Sequence, residues 1–393
     1  MKHSFTLLLL ALAFVGQAQS VTPQKMGGTK FSIDCANMHF EIDSAFGARI
    51  SSFKVGGDEL LYTTDAGGMY GSTFWPSPQS VWGWPPLANL DNKAYKTAIK
   101  GNKIIFTGNT DSKSNLRFYK TMMANSADTS IVIDYCMKNE KASAQSWAPW
   151  EVSRVLGKGI TVFAKGEGEV TGKMSSFTEE VNGYVWYNQD EHSSTSSDFK
   201  FFCDGKGWLA HVVDGDKVFI KKFADIEAAK AAPTEAEIEV YTANRNVYTE
   251  LENQGAYTSI ASKDSVTWRV TWFARTLPAS VDVSVGSSSL VAFIEGVMNR
   301  SSSPVGNSNV QLASVVKVYP NPASEYLIVE ADLDSYSNSS LAVYDVNGRT
   351  VMAKALTGNH QQITLNDLQG GSYIYEVKQG SMSVKRGMFT VVR

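Results

Sequence analysis

Phe31-Ser32-Ile33-Asp34, followed after a short gap by His39-Phe40-Glu41-Ile42, sets the pattern that decides the fold. Both runs are short and rich in β-branched or aromatic residues, as strands are. Outward along the chain the same kind of run recurs at Lys103-Ile104-Ile105-Phe106, Ser130-Ile131-Val132-Ile133, Gly159-Ile160-Thr161-Val162-Phe163, Lys217-Val218-Phe219-Ile220 and Thr267 to Phe273. Turn signals fall between them: Gly56-Gly57-Asp58, Asn182-Gly183, Asp204-Gly205 and Asp214-Gly215-Asp216. Only Ala224 to Ala232 and Ser289 to Met298 read as helix. Strands without alternating helices predict an all-β chain of stacked antiparallel sheets and exclude a parallel α/β enzyme. No internal repeat of fixed period interrupts this reading.

The two ends say where such a chain goes. Lys2 and His3 precede the apolar run Leu7 to Val15, and Gly16-Gln17-Ala18 offers small residues for cleavage. This predicts a signal peptide over residues 1–18, since the run falls short of the roughly 20 apolar residues that span a bilayer. A buried helix is the alternative. At the other end stand Val318-Tyr319-Pro320-Asn321-Pro322-Ala323, Leu341-Ala342-Val343-Tyr344-Asp345-Val346-Asn347-Gly348-Arg349 and Gly371-Ser372-Tyr373-Ile374-Tyr375-Glu376-Val377. These are alternating strands broken by an Asn-Pro turn and an Asn-Gly hairpin, the pattern of a small immunoglobulin-like β-sandwich. This block, residues 315–393, resembles the type A sorting domain of the type IX secretion system. The resemblance implies a Gram-negative bacterium, passage through the periplasm, and release or attachment at the outer membrane surface, with the secretion machinery as partner. Residues 299–314, with Ser301-Ser302-Ser303-Pro304 and Gly306, read as a linker.

The chain has 393 residues, a formal net charge of -3 and three cysteines. That charge gives no basic footprint for nucleic acid. Cys35, Cys136 and Cys203 lie too far apart for a metal clip or a dense disulfide scaffold. One disulfide plus one thiol, or three buried thiols, both remain open.

All nine tryptophans lie between Trp75 and Trp272. Three of them crowd into Phe74-Trp75-Pro76-Ser77-Pro78-Gln79-Ser80-Val81-Trp82-Gly83-Trp84-Pro85-Pro86. Proline and glycine predict a loop here. Indoles beside a polar handle such as Gln79 suit sugar rings, whose C–H faces stack and whose hydroxyls hydrogen-bond. Capping of the sheet core is the plainer alternative. In Ala148-Pro149-Trp150-Glu151-Val152-Ser153-Arg154, Glu151 and Ser153 face away from Trp150, Val152 and Arg154 if the segment is a strand. Tyr248, Glu250 and Glu252 share another strand face, where like charges raise a carboxyl pKa for acid-base work. A solvated acidic edge strand is the alternative there.

Gly47-Ala48-Arg49-Ile50-Ser51-Ser52-Phe53-Lys54-Val55-Gly56-Gly57-Asp58-Glu59-Leu60-Leu61 resembles the opening hairpin of aldose 1-epimerases and other galactose mutarotase-like domains. Lys138-Asn139-Glu140 and Glu252-Asn253-Gln254 match later steps of that family. The Trp-Pro-rich stretch is closer to an uncharacterised branch of it. The resemblance spans roughly Phe31 to Leu277 and implies a large antiparallel β-supersandwich over residues 24–298. It also implies a carbohydrate ligand, no cofactor and no metal. The family opens a pyranose with a glutamate that takes the anomeric hydroxyl proton, which carries over to Glu252, and a histidine, which does not carry over. Glu151, or His192 from the polar loop Asn188 to Ser197, stands in as the acid. Trp75, Trp82, Trp84, Trp150, Gln79, Arg49 and Tyr248 are the residues expected to hold the sugar.

The expected protein is thus exported and recognises carbohydrate, acting at a sugar carbon through Glu252. A glycan-binding or structural surface protein without catalysis is the alternative, and a polysaccharide lyase using Tyr248, Tyr257 and Arg245 is a second one. A serine nucleophile elbow, a zinc HExxH helix, a P-loop and a dinucleotide glycine motif are all missing from the sequence. Asp214-Gly215-Asp216 reads as a hairpin turn in preference to a calcium loop.

Overall fold

The computed structural model describes residues 21–65, 67–191, 199–243, 247–300, 316–331, 339–345, 349–358, 360–379 and 382–393. The segments expected as signal peptide, residues 1–18, and most of the expected linker, residues 299–314, lie outside them. The chain divides into two compact units, Met1–Ser303 and Pro304–Arg393.

The first unit opens with a meander: β1 (Gln24–Gly27), β2 (Lys30–Cys35), β3 (Met38–Asp43), β4 (Arg49–Val55) and the short β5 (Asp58–Glu59). β6 (Ser72–Ser77) follows, then the one-turn α1 (Ala88–Asp91), β7 (Lys96–Lys100), β8 (Lys103–Thr107), β9 (Leu116–Asn125) and β10 (Ser130–Asn139). Next come β11 (Gln145–Leu156), β12 (Ile160–Ala164), β13 (Thr178–Val181), β14 (Tyr184–Asn188), β15 (Phe199–Cys203), β16 (Trp208–Val213) and β17 (Lys217–Phe223). The unit closes with β18 (Ile238–Thr242), β19 (Tyr248–Gln254), β20 (Thr258–Ile260), β21 (Ser265–Thr276) and α2 (Ser288–Arg300). All seven runs read as strands in the sequence fall in strands.

These strands make two antiparallel sheets. The eleven-stranded one runs β1-β2-β3-β4-β6-β11-β19-β18-β15, with β5 on β4 and β20 on β11. The ten-stranded one runs β13-β14-β12-β16-β17-β21-β10-β9-β8-β7. Alternation places one face of each sheet in a shared core: Ile33, Phe40, Phe53 and Phe74 from the first meet Ile133, Tyr135, Phe219 and Trp272 from the second. Phe40 and Phe53 pack edge-on or tilted against the Trp272 indole, with centroids 5.6 and 5.3 Å away. This is the β-supersandwich. The outer face of the ten-stranded sheet is covered by α2, whose Leu290, Ile294 and Val297 pack on Val162, Ala210, Val218 and Phe273. Ser287 caps α2 by accepting the Leu290 N–H.

Three expectations need correcting. Ala224 to Ala232 is not a helix; within it only Ala228–Lys230 makes a 3-10 turn. The segment is short and runs straight into Pro233, which cannot continue a helix and holds Ala232 out of the helical region. The Trp-Pro stretch is a loop only from Pro78 onward, because Ser72–Ser77 is a fully buried strand carrying Trp75. Pro76 is tolerated there: β6 meets β4 only at Ser72, so no ladder bond is asked of residue 76 on that side. Third, β19 is no solvated edge strand. It lies between β11 and β18, and all seven of its residues are buried. The three cysteines are all free thiols, Cys35 and Cys203 buried and Cys136 half-buried.

The second unit pairs a three-stranded sheet, β22 (Val316–Tyr319), β23 (Tyr326–Ala331) and β26 (His360–Thr364), with a four-stranded one. The latter holds β24 (Ser339–Tyr344), β25 (Thr350–Ala355), β27 (Gly371–Gln379) and β28 (Met382–Val391). Leu327, Val329, Leu341, Val343, Val377 and Phe389 fill the space between them. Asn321 fastens the opening of this unit to its last strand, donating to Met388 O at 3.2 Å and accepting from the Thr390 N–H at 3.1 Å. Asn347-Gly348 lies outside the described residues, but its flanks close on each other. The Arg349 N–H and guanidinium both donate to the Asp345 carboxylate.

Candidate active site

The outer face of the eleven-stranded sheet carries a cleft of about 690 Å³. Strand register explains its composition. Trp150 lies opposite Trp75 on one side and Gln254 on the other, Val152 opposite Glu252, and Arg154 opposite Glu250. One strand further, Glu239 lies opposite Glu252 and Tyr241 opposite Glu250, while Lys200 lies opposite Tyr241. Directly opposed residues share a face, so five strands, β6, β11, β19, β18 and β15, send these side chains outward together. Trp75, Trp84, Trp150, Phe202, Tyr241 and Tyr248 give the cleft aromatic walls, and Gln79, Lys173, Lys200, Glu250 and Glu252 its polar groups.

Glu252 sits at its centre. Its Oε2 accepts the Trp150 indole N–H at 2.9 Å and a proton of the Lys200 ammonium at 2.9 Å. Its Oε1 is buried and has no hydrogen-bond partner among the described residues. Burial raises the pKa of Glu252, and the Lys200 charge offsets only part of that rise. Lys200 also pairs with Glu239, whose carboxyl burial lifts well above the ordinary range. Burial works against the Lys200 ammonium, yet the two carboxylates hold its pKa above the usual value. Two acids and one ammonium thus share the charge of the site. Glu250 is held by a 2.7 Å ion pair with Arg154. Arg154 is sealed between the Trp75 and Tyr248 rings, 5.4 and 5.9 Å from their centroids.

The aromatic walls are propped from behind. The Trp75 N–H donates to Asp91 at 2.7 Å, and Asp91 approaches because Gly47 lacks a side chain. An added Cβ there would lie 2.2 Å from the Asp91 carbonyl oxygen. Trp82 donates to Pro76 O at 2.7 Å and packs behind Trp75 and Trp150. Trp84 stands at the mouth, 61% exposed, edge-on to Trp75 at 6.2 Å.

Of the residues expected to meet a ligand, Trp75, Gln79, Trp84, Trp150, Tyr248 and Glu252 line the cleft. Trp82 is a support. Arg49 is buried beneath the cleft, where it binds Gly68 O and Asp91 and covers the Tyr70 ring, so it belongs to the propping layer. Glu151 faces the other way, into the core between the sheets. There it accepts the Tyr135 hydroxyl at 2.7 Å and pairs with Lys221 at 2.9 Å. The Glu151–Glu252 carboxylate pair is therefore not assembled. His192 and Arg245 lie outside the described residues. Tyr257 does not line the cleft. His39 pairs with Asp34 at 2.7 Å, and His211 is buried against Thr161. Asn139 ties its own turn to Ile260 O and Ala261 O, a structural role. Asp214-Gly215 is a hairpin turn, with Asp214 and Gly215 at φ 52° and 78°. Lys200, Glu239, Arg154, Tyr241 and Phe202 were not singled out as site residues from sequence. The signal was present in the alternation of Lys200 with Phe202 and of Glu239 with Tyr241.

Residues 317–389 match the family model of the secretion system C-terminal sorting domain. The tail is a sorting domain. With it the chain carries the mark by which the type IX secretion machinery delivers proteins outside the cell or to its surface. No curated protein matches the chain. Among solved structures, a galactose mutarotase-like protein from Lactobacillus casei ATCC 334 is 9% identical, with TM-score 0.46 and coverage of 63% of this chain and 100% of that one. A galactose mutarotase-like protein from Clostridium acetobutylicum is 9% identical, with TM-score 0.44 and coverage of 66% and 99%. A protein from Synechocystis sp. PCC 6803 is 10% identical, with TM-score 0.47 and coverage of 68% and 100%.

Proposed function

We propose that the exported protein binds a carbohydrate in this cleft and that Glu252 exchanges a proton with it at a sugar carbon, as an aldose 1-epimerase does. The reading also places the protein on the outer membrane surface, where its ligands are extracellular glycans. The observation that carries it is Glu252 itself: a buried carboxyl among aromatic walls, one oxygen fixed by Trp150 and Lys200, the other without a partner among the described residues. Indole faces favour the apolar side of a pyranose, and Gln79, Lys173 and Lys200 supply hydrogen bonds to its hydroxyls. Lys200 and the Trp150 N–H hold the charge on Oε2 in the ionised state, and Oε1 accepts the proton of the anomeric hydroxyl as that oxygen becomes the open-chain carbonyl, the C1–O5 bond breaks and the ring oxygen takes a proton from solvent. The raised pKa keeps the resulting acid stable enough to return the proton.

Glu252→Gln keeps the shape of the site and removes the base. Turnover is expected to fall by about 10²–10⁴-fold with saccharide affinity retained; unchanged turnover contradicts the assignment. Trp84→Ala, at an exposed position, is expected to weaken binding about tenfold without loss of stability. Equal affinity in calorimetric titration removes that residue from the site.

Binding without turnover is the second reading, and one observation favours it. None of the described residues lining the cleft is a histidine, so none of them offers a ring oxygen an imidazole proton. Saturable binding with anomer exchange at the uncatalysed rate would establish it.

A further inference from the structure

A second cavity of about 500 Å³ adjoins the Glu252 cleft. The two share Gly172 and Phe202 in their linings. The shared segment is held tightly on β15. Thr171 and Phe202 exchange two backbone hydrogen bonds of 2.9 Å, which lays residues 171–172 along β15. Gly172, at φ +96°, sits so close that an added Cβ would lie 2.6 Å from Lys200 O and 3.0 Å from the Phe202 ring. Only glycine lets the segment lie this close to β15. The far rim is tied to the first cleft as well, because the Gln79 N–H donates to Glu235 at 3.0 Å. Each space alone falls within the roughly 300–1,000 Å³ of a small-molecule site, so one hexose does not fill both.

We propose that cleft and cavity form one groove, whose ligand is an oligosaccharide of more than one sugar unit without acidic substituents. This rests on the carbohydrate reading of the Glu252 cleft. Phe202 with Ala228, Ala231 and Ala236 gives the second space apolar surface, and Glu169, Asp204, Glu235 and Glu237 give it acceptors for hydroxyls. No lysine, arginine or histidine stands among its described lining residues. Asp204 Oδ1 is closed off from solvent and has no hydrogen-bond partner among the described residues. A uronate or sulfated unit meets carboxyl groups and no cation among these residues, whereas hydroxyl or amino groups find acceptors.

The test is calorimetric titration of the full-length exported protein with glucose, galactose, mannose and N-acetylglucosamine, each beside its β-1,4-linked oligomers up to the hexamer. Oligogalacturonate serves as the charged probe. For the sugar that binds, the hexamer is expected to bind at least about tenfold tighter than the monomer. Ala231→Trp, or Ala228→Trp if the first does not fold, fills the second space. It is expected to bring the hexamer to the affinity of the monomer and leave the monomer unchanged. Affinity independent of length overturns the groove and leaves the cleft standing, as does a length effect that survives both fillings. Preferential binding of oligogalacturonate overturns the charge argument. Binding of no saccharide at any length overturns the carbohydrate reading and the groove together.

Discussion

Trp150 has two functions in one side chain, a wall of the cleft and a donor to Glu252. Trp150→Phe keeps most of the ring and removes the N–H, so the ionised form of Glu252 loses a hydrogen bond. Its pKa, already raised by burial, is expected to rise further. The rising limb of activity against pH then moves to higher pH, which a pH–rate profile reads directly; an unmoved limb separates the indole from the carboxyl. Glu237 carries a second pH signature, since burial pushes its carboxyl up to about 8. Its unfolded value is about 4.3, so between these values the folded state binds more protons than the unfolded one. Stability therefore falls as pH climbs through that window, and Glu237→Gln is expected to flatten the fall in thermal melts between about pH 5 and 8. Glu252 was legible in the sequence because Tyr248, Glu250 and Glu252 alternate onto one strand face and Glu252-Asn253-Gln254 resembles a motif of the mutarotase-like family. Glu151 was misplaced for a physical reason: alternation shows that Trp150 and Glu151 oppose each other, but not which of them faces the partner sheet. Lys200 and Glu239 are single charges inside short strands, and their meaning appears only when register brings them beside Glu252.

At the scale of elements, β11 joins the two faces of the site. Its outward residues build the cleft floor, while its inward Glu151 is pinned to β10, β17 and β21 by Tyr135, Lys221 and Trp272. Lys221 also donates to Leu251 O at 2.9 Å, directly behind Glu252. Removing one partner leaves a buried charge: Lys221→Met is expected to cost about 3–5 kcal/mol in urea unfolding. Lys221→Met with Glu151→Leu removes both charges and is expected to recover much of that loss. A double variant as unstable as the single one contradicts the pairing. The strands were the most legible elements, because β-branched and aromatic runs are bounded by turn residues that force φ > 0, as at Asn182 and Gly183. β6 was hidden by Pro76, which local rules exclude from a strand. The missing neighbour at that end of β6 makes it acceptable, and a neighbour is a tertiary fact.

For the whole molecule, the tail and the sandwich are read from different kinds of signal. The sorting domain was legible from short motifs whose contacts are now visible, such as Asn321 with β28 and Asp345 with Arg349. The supersandwich was legible from composition and a distant resemblance, and its cleft only in part. A chain ending before residue 315 is expected to accumulate in the periplasm of its own host, as cell fractionation reads; delivery of that chain to the surface contradicts the role of the tail. The central claim concerns the cleft. It is tested most directly by exchange NMR of the α and β anomers of a bound sugar, recorded for the native protein and for Glu252→Gln under saturating ligand. The account predicts exchange well above the uncatalysed rate in the native protein, and exchange at the uncatalysed rate in the variant with binding intact. Equal exchange in the two proteins would contradict it.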